Sequence, residues 1–384
     1  MDFRAYVSVD KRRKAVEDNL KVNLSNIGNY SFDSKLASSR NCENMIGAVQ
    51  IPLGIAGPLK IKSDFSEDEV FLPLATTEGA LVASVNRGCK VITLSGGVTV
   101  NSQRIGITRA PVFVVNNQKE GKKFVEWVNS SFKLLKQVTE STSSHLTLLD
   151  IKSTFMGRNV YLRFRFDSQD AMGMNMATIA CTKAASFIEK ETKARLVAIS
   201  GNMCVDKKPS LLNFIEGRGY SVSADILIPR KIVESTLKSK TESIVEVAQR
   251  KLMYGSLLSG SVGANAHYAN ILSAMFIATG QDAAHVAECS VGITTAEEIK
   301  GDLYVSIYLP DLVVGTVGGG TSLETQKEAL SIMGISGGNN GKNARKLAEI
   351  IGGAVLAGEI SLLASLADNS LASAHRKLGR GEKI

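Results

Sequence analysis

The chain reads as an α+β protein: a large mixed domain into which a small ferredoxin-like (split βαβ) unit is inserted, with a small helical domain at the N-terminus. Three observations predict this. A length of 384 residues exceeds one simple core and fits two or three compact units. Between about Pro111 and Ser200, β-rich segments (PVFVVN, LTLLDIKSTFMG, NVYLRFRFD) interleave with helical ones (KKFVEWVNSSFKLLKQV, MATIACTKAASFIEKET), the order of a split βαβ unit with an antiparallel sheet. From about Asp225 long helical segments rich in Gly, Ala and Ser return, as if one domain resumed after an interruption. The expected units are a helical domain over 1–42, a discontinuous large domain over 43–110 and 201–384, and the insertion over 111–200.

Taken in order, residues 1–42 are polar and charged, with a helical pattern around Lys11 to Leu20. The composition changes abruptly at CENMIGAVQIPLGIAGPLKI, where Pro52, Gly54, Gly57 and Pro58 predict turns between short strands. Thr76-Thr77-Glu78 then opens the helical run ALVASVNRGCKVI. A hydroxyl followed by a carboxylate is a common helix start, so Glu78 reads either as a capping acid or as a reactive one. The apolar stretch Leu347 to Ala367 carries Glu349, Glu359 and several glycines, which predicts a buried or interfacial helix over a membrane span. No internal repeat or low-complexity linker appears.

Composition bounds the partners. The net charge of +8 comes from Lys and Arg scattered along the chain, so a polyanionic small ligand fits at least as well as nucleic acid. Aromatic residues make up 6% of the chain, too few for a stacking platform, and nucleic acid is not expected as a partner. Cys42, Cys89, Cys181, Cys204 and Cys289 are widely separated, with no zinc spacing; they read as reduced thiols of a cytoplasmic protein, and no metal is expected. The N-terminus, MDFRAYVSVDKRRK, lacks the apolar core of a signal peptide, and no membrane contact is expected.

No G-x-G-x-x-G and no Walker A sequence occurs, which disfavours a standard dinucleotide-binding domain. Two other glycine-bearing stretches could present N–H groups to phosphate at a helix start: Asp170-Ala-Met-Gly-Met-Asn-Met176 and Gly315-Thr-Val-Gly-Gly-Gly-Thr321. Each could equally serve turns and packing, with Asp170 a helix cap. Ser200-Gly-Asn-Met-Cys-Val-Asp-Lys-Lys-Pro-Ser210 sets an acid and two lysines among apolar and turn residues. This is either an exposed loop or an anion site in which one lysine stabilises a developing oxyanion. Asp282, after the helical run Asn265 to Thr279, is a cap or a group that tunes catalytic neighbours. His375, near the C-terminus, is a solvated tail histidine or a proton donor.

Read together, ENMIG (Glu43 to Gly47), PLATTEGALVASVNRGC (Pro73 to Cys89), DAMGMNMAT (Asp170 to Thr178), SGNMCVDKKPS (Ser200 to Ser210), NAHYANI (Asn265 to Ile271), GQDAA (Gly280 to Ala284) and GTVGGGT (Gly315 to Thr321) resemble one family. It is 3-hydroxy-3-methylglutaryl-CoA (HMG-CoA) reductase, class I, of the soluble archaeal type, and the motifs occur in family order from about residue 40 to the terminus. The resemblance implies an NADPH-dependent reduction of HMG-CoA to mevalonate and CoA by two hydride transfers via mevaldehyde, with no metal. Catalysis would fall to Glu78 as acid at the carbonyl oxygen, Lys207 at the oxyanion, Asp282 linking the two, and His375 protonating the CoA thiolate. Arg109, Ser200, Asn202, Asp206, Lys208, Lys251 and Asn270 would contact the glutaryl portion, with Asn86, Arg87 and His267 near CoA. Ser143, Asp170, Met172, Gly173, Met174, Asn175, Gly318, Gly319, Gly320 and Thr321 would hold NADPH. A homodimer or dimer of dimers, with active sites between subunits, is also implied.

Two stretches depart from the pattern of relatives. By the resemblance, position 144 lies close to the cofactor's 2'-phosphate and is often basic; here it is Ser144, so either a neighbouring Lys or Arg compensates or the enzyme accepts NADH more readily. Ser373-Ala374 precedes His375 where animal members carry Lys and Ser, implying altered flap behaviour or phosphoregulation. The alternatives are an acyl-CoA hydrolase or lyase using the same acid, lysine and histidine, and a non-catalytic binding homologue.

Overall fold

The computed structural model describes residues 5–63 and 67–368. Helix α1 (Val9–Leu20) starts where the Ser8 hydroxyl accepts from the Lys11 N–H; α2 (Ser34–Arg40) starts where Asp33 accepts from the Lys35 and Leu36 N–H groups. Both caps satisfy donors that a first helical turn leaves unpaired. Val9, Ala37 and Met45 form a small separate core, which the buried Arg12 ties down by donating to the Met45 carbonyl and the Ser38 hydroxyl.

Strands β1 (Leu53–Lys62) and β2 (Glu67–Ala75) pair antiparallel; helix α3 (Leu81–Leu94) and strand β3 (Val98–Arg109) follow. The turns expected at Gly54 and Gly57-Pro58 are instead interior to β1, whose register against β2 slips between Ala56 and Leu59. A bulge lets a strand carry a proline that cannot donate to the ladder, so these residues mark one irregular strand.

The next elements are β4 (Val112–Val114), α4 (Gln118–Ser130), α5 (Phe132–Glu140), β5 (Thr147–Met156), β6 (Asn159–Asp167), α6 (Met174–Glu191) and β7 (Arg195–Ala198). Their strands pair antiparallel in the order β7-β4-β6-β5, and α5 packs on β5 and α6. This is the β-α-β-β-α-β pattern expected, with the pair α4–α5 as its first crossover. The short β7, RLVA, was not anticipated.

The remaining elements are α7 (Leu211–Glu216), β8 (Gly219–Ile228), α8 (Arg230–Ile232), α9 (Thr241–Val247), a π-helical stretch Ala248–Gly255, α10 (Ser256–Ser259), α11 (Tyr268–Thr279), α12 (Val286–Cys289), β9 (Ile293–Ile299), β10 (Asp302–Leu312), α13 (Glu324–Ile332) and α14 (Lys342–Ala367). Strands β3, β8, β10 and β9 form a second antiparallel run. The helical expectation from Asp225 overran it. Tyr220, Val222, Ala224, Ile226 and Ile228, like Leu303, Val305, Ile307 and Leu309, are buried at every second position, a strand period. Strand β3 joins the two runs, pairing with β8 over Thr99 to Gly106 and with β6 over Ile107 to Arg109. That junction places Arg109 where the two sheets meet.

Helix α14 is long and apolar enough to cross a membrane, yet 83% of its most apolar window is buried inside the protein, packed on α3, β8, α9 and α11. A Cβ on Gly88 of α3 would lie 1.9 Å from the Ala357 carbonyl oxygen, so only glycine allows that approach. Its two buried acids are satisfied. Glu349 accepts from the Ser102 hydroxyl at 2.6 Å, and Glu359 accepts from the Ala266 and His267 N–H groups and the Thr294 hydroxyl at 2.7 to 2.8 Å.

Candidate active site

A cleft of about 1060 Å³ opens at the N-terminus of α6. Asp170, Met172, Gly173, Met174, Asn175, Gly318, Gly319, Gly320 and Thr321 all line it, as does Asp282. The two glycine stretches meet because Ala171 bridges to Val317 and the Asp170 carbonyl accepts from the Thr316 N–H at 2.7 Å. A Cβ on Gly320 would lie 2.6 Å from the Gly280 oxygen, and one on Gly315 would lie 2.4 Å from the Met172 nitrogen. Gly318 and Gly319, by contrast, have open space around them but positive φ of 79° and 55°. The glycines therefore serve packing at one end of the motif and backbone conformation at the other. Helix α6, 18 residues long, starts at Gly173 with no side-chain cap, leaving its first N–H groups toward the cleft as a place for phosphate.

Asp170 is not the cap of α6. Its carboxylate accepts from the Asn339, Gly341 and Ala344 N–H groups at 2.5 to 3.0 Å and so closes the start of α14. Ser143 stands one layer out, with its hydroxyl 3.5 Å from the sulfur of Met176, which lines the cleft beside His145.

At the cleft's edge, Lys207 Nζ lies 2.7 Å from Asp282 Oδ2. The loop that delivers Lys207 is strained: Asn202, Val205 and Lys207 all take positive φ without being glycine. The loop is pinned from beneath. The Lys207 N–H donates to Glu288, and Thr108 donates to the Cys204 carbonyl. Burial alone would raise the Asp282 carboxyl, but the bonds from Lys207 and the Ala284 N–H, with the charge of Lys207, hold it below the usual carboxylate range. An ammonium fixed beside an ionised carboxylate at the end of a glycine-lined cleft can stabilise an oxyanion.

Glu78 is not the capping acid of α3, whose cap residue is Ala80 with positive φ. Its backbone is held by Thr76, and its exposed carboxylate takes the Asn270 amide at 3.3 Å; Asn270 in turn lies 3.5 Å from His267 Nδ1. Among the described residues no hydrogen bond joins Glu78 to Asp282. Ser200 contacts Cys204 at 3.3 Å, Asp206 pairs with Arg218 at 3.0 Å, and Lys208 bonds the Asp206 carbonyl at 3.0 Å. Arg109 Nε is buried without a partner. Asn86 accepts from the Gly57 N–H, and Arg87 donates to Ser361 and Ser365 of α14. Lys251 is exposed on the π-helical stretch. His375 and Ser373-Ala374 lie outside the described residues. Sequence reasoning missed Arg218, Glu288 and His285, which carry no motif and are recognisable only once the fold buries them together.

A glycine-lined cleft at an uncapped helix start, ending on a lysine–aspartate pair, fits one class: enzymes that bind a phosphate-bearing ligand and stabilise an oxyanion beside it. Comparison with known proteins narrows the class. The family model for hydroxymethylglutaryl-coenzyme A reductase matches residues 8–380. The chain is 50% identical over 385 residues to the 3-hydroxy-3-methylglutaryl-coenzyme A reductase of Methanothermobacter thermautotrophicus, covering 99% of this chain and 96% of that one. It is 51% identical over 386 residues to that of Pyrococcus abyssi, covering 98% and 95%. Among solved structures, a class II enzyme from Streptococcus pneumoniae bound to NADPH superposes with a TM-score of 0.70 at 18% identity, over 93% of this chain and 86% of that one. The chain belongs to the hydroxymethylglutaryl-coenzyme A reductase family.

Proposed function

We propose that this protein reduces HMG-CoA to mevalonate and CoA in two hydride transfers by way of mevaldehyde, as an enzyme of class I and of the archaeal type. The observation that carries the reading is that Asp282 both lines the glycine cleft and holds Lys207 at 2.7 Å, which sets the ammonium beside the cofactor's place. NADPH supplies the hydride when bound; the chain supplies charge and protons. Lys207 stabilises the oxyanion formed in each step. Glu78, held near Asn270, donates to the carbonyl oxygen, and His375 protonates the departing thiolate. Arg109, Ser200, Asn202, Asp206, Lys208, Lys251 and Asn270 orient the glutaryl portion, with Asn86, Arg87 and His267 beside CoA. Ser143, Asp170, Met172, Gly173, Met174 and Asn175, with Gly318, Gly319, Gly320 and Thr321, hold NADPH, and Ser144 admits NADH.

We further assign residues 1–42 to a helical domain, 43–110 with 201–384 to the substrate domain, and 111–200 to the cofactor domain. A homodimer or dimer of dimers in the cytoplasm completes the reading. Exposed Val49, Leu53, Ile55 and Phe71 support a partner face, and Lys251, exposed on its own chain, suits a site completed across that face.

The test is oxidation of NADPH and, in parallel, NADH by the purified protein with HMG-CoA. Two cofactors consumed per substrate with mevalonate formed is the expected result, and the ratio of the two rates reports what Ser144 does. Thioester loss without cofactor consumption would instead indicate a hydrolase, and no turnover a binding protein.

A further inference from the structure

Beneath Lys207 lies a buried charge cluster that the reaction scheme leaves unused. Arg218, fully buried, donates to both oxygens of Glu288 at 2.8 and 2.7 Å and to Asp206 Oδ1 at 3.0 Å. Glu288, equally buried, also accepts from the Lys207 N–H at 3.0 Å and from Asn213 at 3.1 Å, and it contacts His285 Nδ1. His285 is fully buried too. Its Nε2 has no hydrogen-bond partner and stands 3.8 Å from Asp282 Oδ2 and 3.9 Å from Asp206 Oδ1. That Asp282 oxygen is the one Lys207 holds.

A proton inventory follows from this geometry. Neutral imidazole has one N–H and one lone pair, so one ring nitrogen would turn a lone pair onto a carboxylate away from water. Two faces toward carboxylates call for two N–H groups. The charge count agrees. Asp206, Asp282 and Glu288 face the ring, and Arg218 and Lys207 pair with those carboxylates; the neighbouring Asp311 of β10 is 1% exposed. Burial and the charge of Glu288 push Asp311 up to about 9, so it is neutral at neutral pH; burial likewise keeps the Cys289 thiol protonated. Three carboxylates then meet two cations; Asp206, Asp282 and Lys207 keep some exposure, and the rest of the cluster is buried, where uncompensated charge is costly. The oxygen and nitrogen atoms of Asp206, His285 and Glu288 also lie within 4.8 Å of one another, a spacing open to a metal ion. Arg218 already occupies both carboxylates and would repel one.

We propose that His285 is a positioning residue for the reductase site: an imidazolium clamped by Glu288 that shares the Asp282 carboxylate with Lys207. The shared carboxylate stays ionised and binds Lys207 less tightly, leaving the ammonium able to turn to the substrate oxygen. The catalytic part of this proposal rests on the reductase reading; the charge of His285 does not.

Two measurements test it. The first is the side-chain nitrogen spectrum at pH 7.5, simplified by a total of four histidines and assigned with His285→Gln. Both ring nitrogens of His285 protonated is the expected result; a single protonated nitrogen overturns the proposal. The second is the pH profile of kcat for folded His285→Gln. Loss of a cation facing Asp282 moves the acidic limb to higher pH by up to about one unit, or roughly tenfold in rate on that limb, with KM for NADPH unchanged. An unmoved limb overturns the proposal, and so does an equal movement in Asp311→Asn, which changes no charge at neutral pH. If the wild-type protein consumes no cofactor with HMG-CoA, the reductase reading falls and the nitrogen spectrum still decides the charge.

Discussion

The cofactor cleft and the charge cluster under Lys207 lie side by side and are built in opposite ways. The cleft is backbone against backbone: Gly320 on Gly280, Gly315 on Met172, and helix α6 open at its first turn. The cluster is side chain against side chain, with Arg218, Glu288 and His285 all buried and each held by another. Recognition through backbone tolerates side-chain change but no Cβ at the close approaches, Gly315 and Gly320. Chemistry through buried charges tolerates isosteres but no lost charge.

The sharpest way to break this contrast is Arg218→Met, which strands Glu288 and should cost about 3–5 kcal/mol in chemical denaturation. Lys207→Met should leave the melting temperature near wild type and lower kcat about 10²–10³-fold in steady-state assays. In the cleft, Gly320→Ala forces its Cβ against the Gly280 carbonyl, so KM for NADPH should rise about tenfold, with a loss of about 1–3 kcal/mol. Asp311 sharpens the contrast from the other side. Its carboxyl is raised to about 9, so the folded state takes up its proton and loses stability as pH rises from the unfolded value near 4 toward 9. Asp311→Asn should therefore stabilise the protein at pH 8 and give nothing at pH 4, read as thermal melts at both. Asp282 has the opposite sign: lowered in the fold, its contribution is present at neutral pH and disappears as pH falls through its folded value. The smallest effect belongs to the exposed Arg250–Glu246 pair, where Arg250→Ala should cost no more than about 0.5 kcal/mol.

The two regions also differed in how far the sequence reveals them. The cleft residues fall in contiguous motifs because a loop that must approach a ligand by its backbone needs glycines close together in the chain. Lys207 and Asp282 were legible for the same reason, each inside a short motif. Arg218, His285 and Glu288 were not, since burial is a property of the fold and an isolated charged residue reads as solvated surface. Glu78 and Asp170 show the converse: each could equally be read as a cap of the helix that follows. The structure gives Glu78 to Asn270, and Asp170 to a helix some 170 residues downstream. Strands β8 and β10 were missed although their alternation is plain, because the Gly- and Ala-rich helices around them dominated the reading.

Helix α14 has a consequence for how the gene tolerates change. At 26 residues it is about 39 Å long. Asp170 closes its start, Arg87 is anchored on it at Ser361 and Ser365, and Glu359 holds the backbone from which α11 presents Asn270. A saturation scan should find this segment nearly as intolerant as the motif loops, with variants lost from the soluble fraction and not merely slowed.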